Sequence, residues 1–216
     1  GAPRIRSLRA MPGGRLLVGT VDGLSLAANG KVRPVLRSVI HRPVTSIVAA
    51  PGGGVIAAAL GQGLFDVDAD LRHATPLVFE GSPQGWMDTR QIDIVDGALW
   101  QASVAGIARR DPVSGRMQFV DGVPTGRISA FEPDDDGFWI VRPDALEHYR
   151  WRGTQAERDR HIGGTEGFPS ADILNLRRDR VGRLWLYSSC RSVRQCRAMR
   201  MSCAAAGLNA YSTLVP

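Results

Sequence analysis

The chain has 216 residues, of which 44% are hydrophobic and 22% are charged. These globular proportions exclude a collagen-like, coiled-coil or wholly disordered chain. Its 25 glycines and 13 prolines exceed average usage, which is about 12% for the two residues together. This excess favours an all-β fold with many tight turns. No stretch reaches the roughly 18 consecutive apolar residues of a membrane helix.

The net charge of +6 is concentrated in one region, because residues 150–200 hold 12 arginines against 5 acidic residues. A basic patch of this kind can bind phosphate or nucleic acid. Arginine supplies every cation except Lys31, however, which is typical of a chain shaped by the base composition of its genome. We therefore interpret the patch as a solvated face and expect no nucleic-acid partner.

One motif recurs five times along the chain, and it consists of a short apolar run that follows a glycine turn. The runs occupy residues 16–18, 55–57, 98–100, 138–140 and 184–186. Their anchor positions, which lie 39 to 46 residues apart, are Leu17, Ile56, Trp100, Trp139 and Trp185. This period is the length of a four-stranded propeller blade, and the 3.6-residue rhythm of helical repeats is missing.

Each repeat is predicted to alternate strands and tight turns. Apolar residues such as Ile5 and Leu8 begin the unit and indicate an inner strand. Shortly after the anchor a glycine indicates a hairpin turn, because glycine adopts a positive φ without steric cost. In the fourth repeat Ala145 replaces that glycine. The residues predicted to maintain the repeat are Gly19, Gly23, Gly63, Trp100, Gly106, Trp139 and Trp185.

The repeat resembles the two-component-regulator propeller repeat, which occurs in extracytoplasmic sensor regions of bacterial hybrid histidine kinases and some diguanylate cyclases. The resemblance is greatest in the fifth copy, through Gly167, Phe168, Pro169, Ser170, Ile173, Leu176, Asp179, Gly182, Leu184, Trp185 and Leu186. It covers residues 5–189. The sequence departs from the family pattern after Trp185, where the expected Gly-Leu turn is missing.

The resemblance implies a non-catalytic sensor region in the periplasm. Such a region would bind a small molecule or a glycan and would pass the signal to the rest of its parent protein. A second copy of the chain is a further candidate partner. We expect residues 1–190 to form an all-β partial propeller of four to five four-stranded blades, a fragment of a seven-bladed ring.

Residues 191–216 are expected to form an atypical basic tail. Arginine recurs at every third position from Arg191 to Arg200, and all three cysteines, Cys190, Cys196 and Cys203, fall at the start of the tail or within it. This composition is interpreted either as a basic helix or as a segment that is out of frame or truncated.

No catalytic residue, cofactor or metal site is predicted. Asp134, Asp135 and Asp136 precede Gly137 as in a calcium loop, but position twelve of an EF-hand counted from Asp134 is Ala145 and not Glu. We interpret the triplet as a solvated hairpin turn. The histidines show no metal-binding spacing and are expected at the surface or partly buried; they are His41, His73, His148 and His161.

The tryptophans divide into two groups. Trp100, Trp139 and Trp185 hold equal places in the repeat and are predicted to pack inside the blades. Trp86 and Trp151 lie outside that register, in predicted inter-strand segments beside Arg90 and Arg150. The candidate ligand-binding residues are therefore Trp86, Arg90 and Trp151.

Two other functions remain open. An enzyme of the lyase or hydrolase type on the same architecture, resembling the streptogramin-inactivating lyases, would need His148 or His161 grouped with carboxylates at the propeller mouth. A plain protein-interaction propeller would lack a membrane span and a signalling module downstream.

Overall fold

The computed structural model describes residues 4–77, 86–111, 113–153, 155–168, 172–190 and 209–214. These residues form β-strands β1 to β19 and one short 3-10 turn at Pro12–Gly14, without an α-helix. The part of the chain that the structure describes therefore contains no helix with the length and apolar character of a membrane span. The all-β prediction is confirmed.

The strands form five sheets in chain order. The first sheet contains β1 (Ile5–Met11), β2 (Arg15–Thr20), β3 (Gly23–Ala28) and β4 (Lys31–Val35). The second contains β5 (Val44–Ala49), β6 (Val55–Ala59), β7 (Gly63–Val67) and β8 (Ala74–Leu77). The third contains β9 (Thr89–Val95), β10 (Ala98–Ser103), β11 (Gly106–Arg110) and β12 (Met117–Phe119). The fourth contains β13 (Ala130–Pro133), β14 (Gly137–Val141), β15 (Leu146–Arg152) and β16 (Gln155–Ile162). The fifth contains β17 (Asp172–Arg178), β18 (Leu184–Cys190) and β19 (Asn209–Leu214).

The first four sheets are antiparallel meanders, as expected for propeller blades. Turns after the first and third strands lie at one end of each sheet, which we call the turn end. The opposite end, which we call the connection end, carries the turn between the second and third strands and the link to the next sheet. All five predicted anchor positions fall in second strands, namely β2, β6, β10, β14 and β18.

The chain divides into two compact units, residues 1–119 and 120–216. In the first unit, strand β5 packs against β1 on one side and against β9 on the other. Strand β6 is buried along its whole length. Ala57 and Ala59 face the core shared with the first sheet, whereas Ile56 and Ala58 face the core shared with the third. The core therefore lies between successive sheets, and the first strands stand side by side.

Gly19 is required by the close approach of the first two sheets. A Cβ atom at this position would lie 2.1 Å from Ser7 Oγ and 2.7 Å from the Val44 carbonyl oxygen. The Ser7 hydroxyl occupies the space and donates a hydrogen bond to the Val44 carbonyl at 3.0 Å. The glycine of the repeat thus admits a polar link between neighbouring sheets.

In the second unit, β13 packs against β17, which again places two first strands side by side. The core between the fourth and fifth sheets includes Trp139, Leu146, Phe168, Leu176 and Leu186. The other face of the fourth sheet carries an aromatic stack, in which the ring centroids of Phe138 lie 5.6 Å from Phe131 and 5.7 Å from Tyr149. Both faces of the fourth sheet therefore carry buried apolar side chains.

The fifth sheet departs from the repeat. Its third strand, β19, comes from the tail and pairs parallel to β18, whereas the repeat predicts an antiparallel hairpin. A parallel neighbour needs a long crossover in place of a tight turn. Residues 191–208, which were interpreted either as a basic helix or as an out-of-frame or truncated segment, lie outside the described residues. The domain boundary at residue 190 stays a prediction.

Trp185 is not a core residue, contrary to the expectation from its place in the repeat. Its side chain is 38% exposed, whereas Trp100 and Trp139 are 5% and 8% exposed. The Arg183 guanidinium lies over the Trp185 ring, 5.7 Å from the centroid. Among the described residues the ring therefore packs under a charged side chain, and burial of this repeat position depends on its surroundings.

Candidate functional site

Two of the predicted ligand-binding residues, Trp86 and Arg90, lie at a connection end in the first unit. Trp86 is half-buried just before β9, and its ring packs over Gly63, where a Cβ atom would meet Trp86 Cη2 at 3.0 Å. Its carbonyl accepts a hydrogen bond from Gln101 Nε2 at 2.7 Å. Arg90 lies in the first strand of its sheet, and its buried Nε has no hydrogen-bond acceptor among the described residues.

The third predicted residue, Trp151, lies in the second unit. It belongs to strand β15 and not to an inter-strand segment, which corrects the prediction of its local structure. The spacing of the repeat tryptophans did not predict a strand here. Strand β15 pairs with β14 only as far as Arg150, but it continues through Trp151 and Arg152 in its hairpin with β16. Trp151 therefore stands at the turn end of the fourth sheet, where its backbone N–H donates to the Asp136 carbonyl at 3.0 Å.

An open cleft of about 400 Å³ lies at the turn end of the second and third sheets. Its lining includes Ile56, Ile94 and Leu99. The polar groups beside it already have partners within a turn, since Arg110 Nε donates to the Gly115 carbonyl and Asp111 Oδ1 accepts from two turn N–H groups. The floor of the cleft is therefore apolar, and Arg110 Nε and Asp111 Oδ1 are occupied by contacts within the turn.

The densest group of titratable side chains lies at the turn end of the fourth sheet. His148 is in the third strand, directly opposite Trp139 in the second strand. Asp134 and Asp136 belong to the turn between β13 and β14, and Asp159 lies in the outer strand β16. The antiparallel pairing of β14, β15 and β16 brings these three aspartates close to the imidazole of His148.

The imidazole of His148 contacts carboxylates through both ring nitrogens. Its Nδ1 hydrogen-bonds with Asp159 Oδ1 at 2.5 Å. Its Nε2 lies 3.0 Å from Asp134 Oδ2 and 4.0 Å from Asp136 Oδ1. The Nε2 atom is buried, however, and the Asp134 contact lies outside hydrogen-bond geometry, so Nε2 has no hydrogen-bond partner in the part of the chain that the structure describes.

The proton on His148 is placed by Asp159. Burial raises the pKa of Asp159, but the hydrogen bond from His148 and the charges of His148 and Arg150 outweigh that effect and hold the pKa below its ordinary value. An ionised carboxylate only accepts hydrogen bonds, so Nδ1 carries the proton. With Nδ1 as the proton-bearing nitrogen, Nε2 is the ring nitrogen that faces Asp134 and Asp136.

A matched turn in the fifth sheet shows what is unusual about Asp134. Asp179 Oδ2 accepts a hydrogen bond from Trp185 Nε1 at 2.9 Å, as Asp134 Oδ2 does from Trp139 Nε1 at 2.9 Å. Asp179 Oδ1 also accepts two backbone N–H groups at 3.0 Å, from Val181 and Arg183. Asp134 Oδ1, in contrast, is buried and accepts no hydrogen bond from any described residue.

A second charged group on the fourth sheet is fully paired. The buried carboxylate of Glu147 accepts hydrogen bonds from Arg142 Nε at 2.7 Å, from Tyr149 Oη at 3.0 Å and from Arg158 Nη1. Burial raises the pKa of Glu147, but these donors outweigh it and lower the pKa overall. His161 Nδ1 also lies 3.3 Å from Glu147 Oε1. This network stabilises the strand pair and occupies both carboxylate oxygens of Glu147.

Two expectations about this region are wrong. His148 is 5% exposed, so it is neither a surface nor a partly buried histidine. Asp134 is not solvated, because its side chain is 12% exposed, whereas that of Asp135 is 90% exposed. Spacing could not reveal the group, since its members meet only through strand pairing. The signal that was present is the shared Asp-to-Trp turn of Asp134 with Trp139 and of Asp179 with Trp185.

Comparisons with known proteins show the fold. No family model matches the chain, and no curated protein matches it. The extracellular domain of a putative hybrid two-component system from B. thetaiotaomicron has a TM-score of 0.69 at 18% identity, covering 86% of this chain and 26% of that one. The extracellular domain of a putative one-component system from the same organism has a TM-score of 0.68 at 15% identity, covering 86% and 25%.

A putative gluconolactonase is also similar, with a TM-score of 0.63 at 13% identity, covering 86% of this chain and 72% of that one. The fold is shared. This chain spans about a quarter of the length of the two extracellular domains. At these identities the likeness shows the arrangement of blade-like sheets, because one architecture carries many functions.

Proposed function

We propose that this chain is the ligand-sensing, extracytoplasmic region of a bacterial signal-transduction protein and is not itself an enzyme. The observation that supports this proposal most is the likeness to extracellular domains of two signalling systems over 86% of the chain. A histidine kinase or diguanylate cyclase module would belong to the rest of the parent protein. The periplasm is the proposed compartment.

A sensor of this design would bind its ligand at the loops and keep its sheets rigid. Neighbouring sheets within each unit share a buried core and have little freedom to change, whereas connections at the sheet ends tolerate variation. We place the binding surface at the connection end that carries Trp86 and Arg90. Among the described residues the buried Nε of Arg90 has no acceptor, so it is a donor that a sugar hydroxyl or a carboxylate satisfies if ligand binding opens access to it, and the Trp86 ring offers an apolar face.

Catalysis is the second candidate function, favoured by the grouping of His148 with carboxylates and by the likeness to a putative gluconolactonase. However, the group does not lie where the mouth of a propeller, at which an active site would open, is expected. His148 is on a third strand and is 5% exposed, whereas the first strands β13 and β17 lie side by side towards the expected axis. Binding therefore ranks above catalysis.

The test combines a binding screen with a signalling readout. Isothermal titration calorimetry of the chain with mono- and oligosaccharides would identify a binding sugar. Arg90→Gln is expected to lower the affinity for that sugar by about tenfold or more, because a charged hydrogen bond is lost. Arg33→Gln, on the exposed strand β4, is the matched control and should bind normally. The same sugar should change the output of the full-length parent protein.

Three outcomes would contradict the proposal. Turnover of the bound sugar would favour the enzyme. A gene without a membrane span or signalling module would favour a plain interaction propeller. Equal sugar affinity in Arg90→Gln and wild type would remove the proposed binding surface.

A further inference from the structure

We propose that Asp134, Asp136 and His148 bind a divalent transition-metal ion of the Zn²⁺ or Mn²⁺ class, with Asp159 as a positioning residue. The site lies at the turn end of the fourth sheet, within the second unit. The metal site is independent of the proposed sensor role. The chain can act as a sensor without binding a metal, and it can bind a metal without acting as a sensor.

The ligand atoms are already close enough to share one ion. One nitrogen or oxygen from each of the three residues lies within 4.8 Å of the other two. The Nε2 atom of His148 lies 3.0 Å from Asp134 Oδ2 and 4.0 Å from Asp136 Oδ1. Two tetrahedral ligands with bonds of about 2.1 Å to zinc stand about 3.4 Å apart. The pocket therefore needs only small side-chain adjustments around the ion.

Two buried atoms lack the partners that a metal would supply. Nε2 of His148 and Oδ1 of Asp134 are both buried, and neither has a hydrogen-bond partner among the described residues. The side chain of His148 is 6% exposed, so its nitrogen is shielded from bulk solvent. A buried polar atom without a partner is costly. The related Asp179 turn fills the equivalent position with backbone N–H groups, so the free oxygen is specific to Asp134.

The surrounding contacts are those of a metal-binding histidine. A ligating imidazole usually donates its second ring N–H to a carboxylate, which fixes the tautomer and the ring orientation. Asp159 accepts that hydrogen bond from Nδ1, and Arg150 Nε holds Asp159 Oδ2 at 2.9 Å. Trp139 Nε1 in turn donates to Asp134 Oδ2. Both ligands are therefore oriented before an ion arrives.

The local charge also favours a cation. The carboxylates of Asp134, Asp136 and Asp159 face His148 and one guanidinium, that of Arg150, which lies 3.5 Å from Asp136 Oδ2. Asp135 does not contribute, because Arg178 pairs with both of its oxygens. A set of one imidazole and two carboxylates suits Zn²⁺ or Mn²⁺, whereas Ca²⁺ takes six to eight oxygen ligands. Three protein ligands leave a position for water.

The experiment is calorimetry with ZnCl₂ and MnCl₂ on chelator-treated chain in which Cys190, Cys196 and Cys203 are changed to serine. Removing the thiols prevents them from binding zinc. We expect one equivalent of metal to bind and the melting temperature to rise, because the ion binds only the folded state. In ¹⁵N spectra, zinc should shift His148 Nε2 and leave His161 unchanged.

Neighbouring acids provide the matched variants. Asp136→Asn should fold normally, because the Asp136 side chain is 62% exposed. It should weaken metal binding by at least the roughly 10- to 100-fold that is lost when a residue that only positions a ligand is mutated. Asp159→Asn should fall within that range. Asp135→Asn, one position away, should bind as wild type. The proposal is overturned if Asp135→Asn and Asp136→Asn have equal affinities, or if the cysteine-free chain binds neither metal.

Discussion

The indole N–H of Trp139 donates a hydrogen bond to Asp134 Oδ2 at 2.9 Å. The bond ties the anchor tryptophan of the second strand to the turn that precedes it. Trp185 and Asp179 repeat the bond in the fifth sheet. An aspartate five or six positions before the anchor tryptophan thus fixes the turn as well as the strand. The two copies differ in the burial of the tryptophan, which makes them a natural pair for measurement.

Trp139→Ala is expected to destabilise the chain by about 3 to 5 kcal/mol, because it leaves a cavity in the core between the fourth and fifth sheets. Trp185→Ala should cost about 1 kcal/mol, since the exposed ring loses mainly its hydrogen bond. Urea denaturation of both variants gives the two free energies of unfolding. Equal losses would mean that the repeat position, and not its burial, sets the cost.

Gly19→Ala should destabilise the chain by about 3 kcal/mol, at the upper end of overpacking costs. The new methyl group would collide with Ser7 Oγ and the Val44 carbonyl and would break their hydrogen bond. Gly52→Ala is the control, because a Cβ atom there has no neighbour within 4 Å. Thermal melting compares the two, and a normal melt for Gly19→Ala would refute the close approach.

Glu147→Gln should destabilise the chain by about 3 to 5 kcal/mol, because it leaves a guanidinium without its counter-charge. The Arg142 side chain is 14% exposed and cannot recover full solvation. Arg158→Ala removes a donor that is 49% exposed and should cost about 0 to 1 kcal/mol. Chemical denaturation separates the two cases. A small loss for Glu147→Gln would indicate that water reaches Arg142 in the folded chain.

Asp179→Asn should change the acid sensitivity of the chain. The hydrogen bond from Trp185 is the main cause that lowers the pKa of Asp179 well below its ordinary value of 3.8, and contacts with Arg183 add to it. A pKa that folding lowers gives stability that is present above the unfolded value and is lost as the pH falls through the folded value. Wild type should therefore exceed Asp179→Asn in stability at pH 7, and the difference should shrink below about pH 4.

The measurement is the urea midpoint of both proteins at pH 7, 4 and 3. Asp70→Asn, in an exposed turn, serves as the control for removal of one surface charge. A constant difference between wild type and Asp179→Asn across this range would show that the carboxylate charge contributes nothing to folding.

The strands were predictable because their signals are local. Glycine turns and apolar runs mark where β2, β6, β10, β14 and β18 begin and end, and each of these strands pairs with the next strand along the chain. Turn chemistry and side-chain alternation act over a few residues, so one sequence suffices to read them. The same holds for Trp100 and Trp139, which are buried as their places in the repeat predict.

The candidate metal site was not predictable from spacing. His148 meets Asp159 through the pairing of β15 with β16, and it meets Asp134 through the pairing of β14 with β15. A register shift of one residue would turn His148 to the other face of the sheet. The exposure of Trp185 and the parallel pairing of β19 depend likewise on contacts between distant segments, which no local pattern records.

The turn between β13 and β14 assigns a different anchor to each of its three acids. Asp134 bonds to the core tryptophan of its own sheet, Asp135 pairs with Arg178 of the adjacent sheet, and Asp136 lies beside Arg150 of the third strand. Reorienting any one carboxylate therefore strains the other two attachments. This turn therefore connects the fourth and fifth sheets, so an ion bound by one of its carboxylates would exert force on both sheets.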